Sequence, residues 1–246
     1  MLAADAIAVA THGASRHHAR PPRPGAYPVA TSPPADTAET APPGDPDVTG
    51  EVQAPAPGLY RYRSTGPGLP GGAEFAERIT AESSPPGTAT DRVLSTTGID
   101  QTVAFTPGVE LELAYSQVGT SVADELSCAE DPPRTLLRLP LRPGATWTSG
   151  TTCTNFLQDR VREDRQVRVV GPSPQTVGGA PIPAWEVVVV ATQTTTPARG
   201  GSSSTTVITT TLDISARYGV AVRRVTQVGN DPQTARTDVL VAIPSP

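Results

Sequence analysis

The chain has 246 residues, including 28 prolines and 22 glycines, which interrupt it too often for long helices. Its basic residues number 19, all of them arginine, against 24 Asp and Glu, and the net charge of −5 excludes a chain basic enough to follow a nucleic-acid backbone. The two cysteines are too few for a zinc framework. We therefore predict no nucleic-acid partner.

Residues 1–58 are predicted to form a tail ahead of the folded domain. The apolar run at residues 6–10 is too short to cross a membrane, but residues 2–9 are typical of the second half of a signal or anchor segment. We expect the true translational start to lie upstream of Met1, so that the protein meets the membrane only through this N-terminal anchor. The alternative is a disordered cytosolic tail.

The three histidines of the chain, His12, His17 and His18, lie beside this segment. We interpret them as part of its solvated basic flank, the alternative being metal binding by His17 and His18. Residues 20–58 are rich in Pro, Ala and Thr and bury too little apolar area to offset chain entropy. We therefore expect them to form an extended, disordered linker.

Residues 59–246 predict one all-β domain. Apolar and polar residues alternate with the period of a strand, and turn residues recur about every ten positions. Because the turns are short, consecutive strands should pair in an antiparallel meander, and the few aromatic residues favour a strongly curved sheet with one partly open face. The predicted strands are 59–65, 74–80, 88–97, 101–106, 109–117, 135–141, 145–154, the second half of 155–170, 184–196, 205–215, 220–228 and 235–243.

The stretch from Cys128 to Cys153 predicts two strand segments around a turn at Pro143-Gly144. Residues 119–133 are predicted to be a loop, with one helical turn at 121–126 as an option. We expect a disulfide between Cys128 and Cys153 rather than two buried thiols, because the N-terminal segment indicates export. The cross-link should stabilise the fold by roughly 3 kcal/mol.

Catalytic residues are not predicted. The domain has no histidine, which excludes Ser-His-Asp and Cys-His catalysis and histidine-based metal sites. Glu110 and Glu112 lie on one face of a strand, about 7 Å apart, a spacing that a glycosidase pair can have; we interpret them as a charged outer face. We predict no enzyme, no cofactor and no metal.

Three further groups of residues have a functional and a structural interpretation. Acidic residues around Cys128 offer oxygens for Ca²⁺ but lack EF-hand spacing, so we interpret them as a solvated loop. The two tryptophans are predicted to pack in the core against the disulfide hairpin, with ligand stacking as the alternative. Two adjacent arginines should face opposite sides of a strand, and an inward one is an option for an anionic headgroup. These groups are Asp124, Glu125, Glu130 and Asp131; Trp147 and Trp185; and Arg223 and Arg224.

A family resemblance is carried by a Leu-Pro-Leu-Arg-Pro-Gly-Ala-Thr-Trp segment at residues 139–147, followed by Tyr218-Gly219-Val220 and Arg223-Arg224. Over about residues 134–228 the chain is similar to uncharacterised secreted bacterial proteins and lipoproteins that resemble the lipoprotein-carrier (LolA-like) superfamily. The resemblance implies a half-barrel with an apolar concave face in the cell envelope and brings no catalytic residues. At residues 177–180 the chain departs from the usual Gly-aromatic turn.

Two functions remain open from the sequence. The first is an extracytoplasmic, non-catalytic domain that is secreted or anchored at the cell surface and binds a lipid or other apolar ligand on the concave face. The alternative is a structural or interaction protein of the cell envelope, with an envelope protein as partner and no small ligand. The sequence does not predict which residues bind the ligand.

Overall fold

The computed structural model describes residues 49–69, 71–82, 88–94, 98–106, 108–118 and 126–244. Apart from a 3₁₀ turn at Pro232–Thr234, the regular elements in these ranges are strands, so the predicted all-β class is confirmed. The strands are β1 (Gly58–Thr65), β2 (Ala73–Glu82), β3 (Thr88–Leu94), β4 (Gly98–Thr106), β5 (Val109–Val118), β6 (Leu126–Arg138), β7 (Thr146–Asn155), β8 (Arg160–Pro172), β9 (Gln175–Val177), β10 (Ala180–Ile182), β11 (Trp185–Thr196), β12 (Ser204–Ile214), β13 (Ala221–Val228) and β14 (Arg236–Ala242).

The predicted curved antiparallel meander is also confirmed. Each long strand pairs with its neighbour in the chain, except that β8 pairs with β11 because the short hairpin β9–β10 stands apart from the main sheet. Gly178 and Gly179 form the turn of that hairpin with φ of 58° and 85°, as a two-residue turn with both central residues at positive φ requires. The sheet curves further than the predicted half-barrel, because β14 returns to pair with β1.

The circle of strands is left open between β6 and β7. These strands pair only at Leu126 with Asn155 and at Ser127 with Thr154, and the Cys128–Cys153 disulfide lies next to those pairs. Beyond the disulfide, residues 129–138 of β6 and 146–152 of β7 are not paired with each other, and we call the gap between them the seam. The sheet is therefore not a fully hydrogen-bonded barrel.

The predicted loop at 119–133 is wrong for its second half, because residues 126–133 belong to β6. Residues 126–129 pair with β5, and Leu126 and Ser127 pair with β7 as well. Pro132 and Pro133 lie in the bulge between Ala129 and Arg134 and are exposed. Proline lacks the N–H of a ladder and is tolerated at a strand edge, which is why the Pro-rich sequence resembled a loop. The optional helical turn at 121–126 falls mostly outside the described residues.

Residues 49–57, which belong to the predicted linker, pack against the sheet. Val52 is buried in the core, Gln53 N–H donates to the Ala216 carbonyl at 2.9 Å, and the Gly50 carbonyl accepts from Leu141 N–H at 2.7 Å. The approach is close: a Cβ on Gly219 would lie 2.0 Å from the Gln53 carbonyl oxygen. Glycine therefore lets this end of the predicted linker pack on the sheet.

The face that the curved sheet encloses, here the enclosed face, carries two apolar clusters. The larger includes Tyr62, Trp147, Trp185 and Leu212. The smaller holds Ile99, the two cysteines and Val161. No helix in the described ranges has the length and apolar character needed to cross a membrane.

Candidate functional site

A layer of buried polar side chains separates the two apolar clusters. On β8, Glu163 and Arg165 lie between Val161 of the smaller cluster and Val167 of the larger one. On β4, Gln101 lies between members of the same two clusters. Burial of such groups is costly unless ion pairs and hydrogen bonds offset the cost. The enclosed face thus carries one polar layer between two apolar clusters.

Arg134 is the centre of this layer. Its guanidinium contacts Glu112 of β5 and lies 2.7 Å from Glu163 of β8, measured from Nη1 to Oε1. Glu112 also accepts from Gln101, and Glu163 accepts from Arg165. Charged hydrogen bonds are about twice as strong as neutral ones, so the network ties β4 and β5 to β8 across the seam.

The neighbouring charges change the titration of Glu163. Burial alone would raise its pKa, but Arg165 and Arg134, with a hydrogen bond from Gln193, lower the pKa to about 2. Glu163 is therefore ionised at neutral pH. In contrast, burial raises the pKa of Glu110 above its ordinary value.

A second cluster of buried charged side chains lies on β13, β14, β1 and β2, the strands that connect the end of the sheet to its beginning. Arg224 of β13 is 1% exposed and donates to Glu77 of β2 at 3.1 Å. Asp238 of β14 accepts from Ser64 of β1 and lies 3.0 Å from Arg236. Tyr62 stacks on Phe75, with centroids 5.2 Å apart. The charges on this part of the enclosed face are thus satisfied within the protein.

The seam forms a groove of about 560 Å³ that is lined by hydroxyl groups and charges. Its walls come from β6 and β7, with two residues of β8. Trp147 and both cysteines are absent from the lining, so the groove is separate from the larger apolar cluster and the cystine. The lining residues are Pro132, Pro133, Arg134, Thr135, Thr148, Ser149, Gly150, Thr151, Thr152, Arg162 and Asp164.

Along this groove, the main chain of β7 has no ladder partner on β6 within the described residues. The bonds from Val169 N–H to the Ala145 carbonyl and from Asn155 N–H to the Asp159 carbonyl set the pattern of the β7–β8 ladder. Because alternate residues of an antiparallel strand bond to the same neighbour, odd-numbered residues of β7 bond to β8. The N–H and carbonyl groups of Thr148, Gly150 and Thr152 therefore point into the seam.

Among the side chains whose exposure the structure describes, the exposed charges are mostly basic although the chain is acidic. Among residues whose exposure the structure describes, six carboxylates are buried against three arginines. Ten arginines are exposed, against four exposed carboxylates. The exposed residues are Arg61, Arg63, Arg78, Arg138, Arg142, Arg160, Arg162, Arg168, Arg199 and Arg217, and Glu51, Glu74, Asp164 and Asp231. The described part of the surface is thus more positive than the net charge of the whole sequence indicates.

The predicted disulfide is confirmed: Cys128 and Cys153 are bonded, with Cα atoms 4.4 Å apart. The assignment of Glu110 and Glu112 to a charged outer face is wrong, because both are 0% exposed on the enclosed face. Their spacing gave the shared face correctly but not which face it is. The residue that shows the face to be enclosed is Arg134, the ionic partner of Glu112. It lies 22 positions away, too far along the chain for strand periodicity to reveal the pair.

The other candidate residues have mixed outcomes. Trp147 and Trp185 are buried as predicted, but in the larger cluster, separate from the cystine. Arg223 and Arg224 face opposite sides as predicted: Arg223 pairs with Asp213 outside the enclosed face, and Arg224 meets carboxylates of the protein. Beyond the described residues or side chains lie His12, His17, His18, Asp124, Glu125, Glu130 and Asp131.

Within the described residues, no group of three or more His, Cys, Asp and Glu is placed to hold a metal ion. Comparison of the sequence with protein-family models and with curated proteins finds no match. Among solved structures, the chain is similar to the hypothetical lipoprotein YmcC from Escherichia coli (K12), at 10% sequence identity and a TM-score of 0.38, over 76% of this chain and 85% of that chain. A likeness at this level supports no argument about function, and the resemblance to the lipoprotein-carrier superfamily stays a prediction.

Proposed function

We propose that this protein is an extracytoplasmic, non-catalytic interaction domain of the cell envelope that binds another protein rather than a lipid. The observation that carries the proposal is the filling of the enclosed face. The side chains that a lipid would have to displace are large apolar residues and ion-paired arginines and carboxylates, several of them less than 2% exposed.

The groove at the seam supports the same choice. Lipid and drug-like ligands occupy cavities that are mostly apolar. This groove is lined by five Thr and Ser residues and by the charges of Arg134, Arg162 and Asp164. An acyl chain there would leave those polar groups without water or a partner, at a cost of about 1–3 kcal/mol for each buried group. A polar partner would bind without that cost.

The extracytoplasmic location is supported by the disulfide. Disulfides persist in oxidising compartments and are rare where cytosolic thiols are kept reduced. The bond between Cys128 and Cys153 fits the export signal that the N-terminal residues indicate.

The non-catalytic part of the proposal rests on two of the buried acids, Glu163 and Glu112. A general acid or base needs a pKa near the working pH, whereas Glu163 is held at a pKa of about 2. Glu112 faces Arg134 and Gln101, so its carboxylate is occupied by the protein itself. These groups serve the fold.

Native mass spectrometry of the full chain purified from its own cells tests the proposal. We expect the mass of the polypeptide with the disulfide formed and without a bound lipid. Alkylation of thiols in intact cells before lysis should leave Cys128 and Cys153 unmodified. A stoichiometric lipid would overturn the choice of ligand, and reduced cysteines in the cells would overturn the location.

A further inference from the structure

We propose that the seam binds an extended acidic peptide segment of a partner protein, which adds to the free edge of β7 as an extra strand. This inference rests on the proposed function and deepens it, because it names the site and the chemistry of the partner. Strand addition to an exposed sheet edge is a recurrent mode of peptide recognition, in which main-chain hydrogen bonds supply much of the affinity.

The wall of the groove on the β7 side carries main-chain donors and acceptors that another strand can use. The N–H and carbonyl groups of Thr148, Gly150 and Thr152 point into the seam and have no ladder partner on β6, which pairs with β7 only at Leu126 and Ser127. Unpaired strand edges are templates for another chain. Another polypeptide main chain offers alternating donors and acceptors at the matching spacing.

Strand β6 cannot form a complete hydrogen-bonded ladder with β7 across the seam. Pro132 and Pro133 lie in the groove wall and lack the N–H that a ladder needs. At the same level, the Arg134 side chain points below the seam to Glu112 and Glu163 and forms its floor. An added strand would therefore pair with β7 and rest on an ion-paired floor.

The free edge of β7 is long enough to pair with an added strand. Residues 146–152 of β7 span about 20 Å at ~3.3 Å per residue, which is the length of an ordinary strand. The disulfide joins β6 to β7 at one end of the seam. A segment of five to seven residues, roughly the length of a common strand, would cover the edge.

The exposed charges on the outer face of β8, next to the seam, are mostly positive. On the outer face of β8, next to β7, Arg160, Arg162 and Arg168 are exposed, and Asp164 is the one carboxylate in that row. Arg162 and Asp164 line the groove and pair with each other at 2.9 Å. Complementary charge favours association and selects partners. These arginines select a segment with Asp or Glu on its outward side.

Titration of the full chain with two labelled peptides tests the inference. One is an eight-residue peptide of alternating Val and Glu, and the control has Lys in place of Glu. We expect saturable binding of the Glu peptide, at least about tenfold tighter than the Lys peptide. No binding of the Glu peptide, or equal binding of both, would overturn the inference.

Two variants locate the site. Thr148→Pro removes one N–H that points into the seam and should weaken binding by about five- to tenfold, whereas Thr148→Ala keeps that N–H and should bind as the wild type does. Equal binding by Thr148→Pro and Thr148→Ala, with both folded, would overturn the site.

If Thr148→Pro fails to fold, Arg162→Glu provides the same test by charge, with Arg61→Glu on the distant strand β1 as its control. Loss of the preference for the Glu peptide in Arg162→Glu alone supports the seam, and loss in both variants or in neither overturns it. A negative peptide result with a lipid-free, oxidised protein would leave the proposed function standing. It would remove only the seam as its site.

Discussion

Arg134 of β6 meets Glu163 of β8 across the open seam, with Arg134 Nη1 2.7 Å from Glu163 Oε1. The same guanidinium contacts Glu112 of β5, so one side chain links both walls of the sheet where the backbone ladder is missing. The ion pair therefore connects β6 to β8 at the seam, as ladder hydrogen bonds connect neighbouring strands elsewhere in the sheet.

Replacement of Arg134 should be among the most destabilising substitutions in the chain. Arg134→Met leaves Glu112 and Glu163 buried without their shared counter-ion, which costs roughly 3–5 kcal/mol of unfolding free energy. Arg63→Met is the control, because its pair with Glu74 is about 60% exposed and surface pairs contribute about 0–1 kcal/mol. Denaturant unfolding measures both variants, and equal effects would show that the buried network does not stabilise the sheet.

Acid should weaken the protein through Glu163. Its folded pKa of about 2 lies below the ordinary value of about 4.3, so this group contributes stability above the ordinary pKa and loses it as the pH falls through the folded one. The loss is on the order of 3 kcal/mol between about pH 5 and pH 2.

Unfolding free energies measured between pH 7 and pH 2 compare the wild type with Glu163→Gln. The variant should be less stable at pH 7 and should lose less stability as the pH falls. Parallel curves would contradict the assignment of the low pKa to Glu163.

Removal of the disulfide should loosen one end of the seam. The double variant Cys128→Ser, Cys153→Ser frees a loop of 25 residues and should lower the unfolding free energy by roughly 3 kcal/mol. The same shift should follow when a reductant is added to the wild type, and the reductant should leave the double variant unchanged. Equal unfolding free energies for the wild type, the reduced wild type and the double variant would show that the cross-link does not constrain the fold.

Gly219 should be needed for residues 49–57 to pack on the sheet. A Cβ there would lie 2.0 Å from the Gln53 carbonyl oxygen, whereas nothing lies within 4 Å of a Cβ on Gly229. The two glycines have nearly the same φ, 66° and 64°, so Gly229→Ala is a control for backbone strain alone. Limited proteolysis should cut Gly219→Ala faster than Gly229→Ala near residue 53, and equal cutting would contradict the packing of this segment.

The strands were predictable because their alternation and turn residues are local signals. Tyr60 and Tyr62 alternate with Arg61 and Arg63 along β1, and the Pro143-Gly144 turn separates β6 from β7 as expected. The disulfide was predicted from the two cysteines together with the expected export signal. Such features depend on short stretches of sequence, so no long-range partner has to be known.

The polar layer was not predictable in the same way. Strand periodicity shows that Glu110 and Glu112 share a face, but only the position of Arg134 shows that the face is enclosed. The open seam depends on how β5 and β8 place β6 and β7, which no local pattern contains. Net charge likewise does not separate buried carboxylates from exposed arginines.

Amide hydrogen exchange along β7 in the full chain, measured residue by residue, tests the open seam most directly. The account predicts that the amides of Thr148, Gly150 and Thr152 exchange at least roughly a hundredfold faster than those of Trp147, Ser149 and Thr151, a difference of about 2.7 kcal/mol in protection. Equal, strong protection of both sets would show that β6 and β7 are paired along their length and would contradict the account.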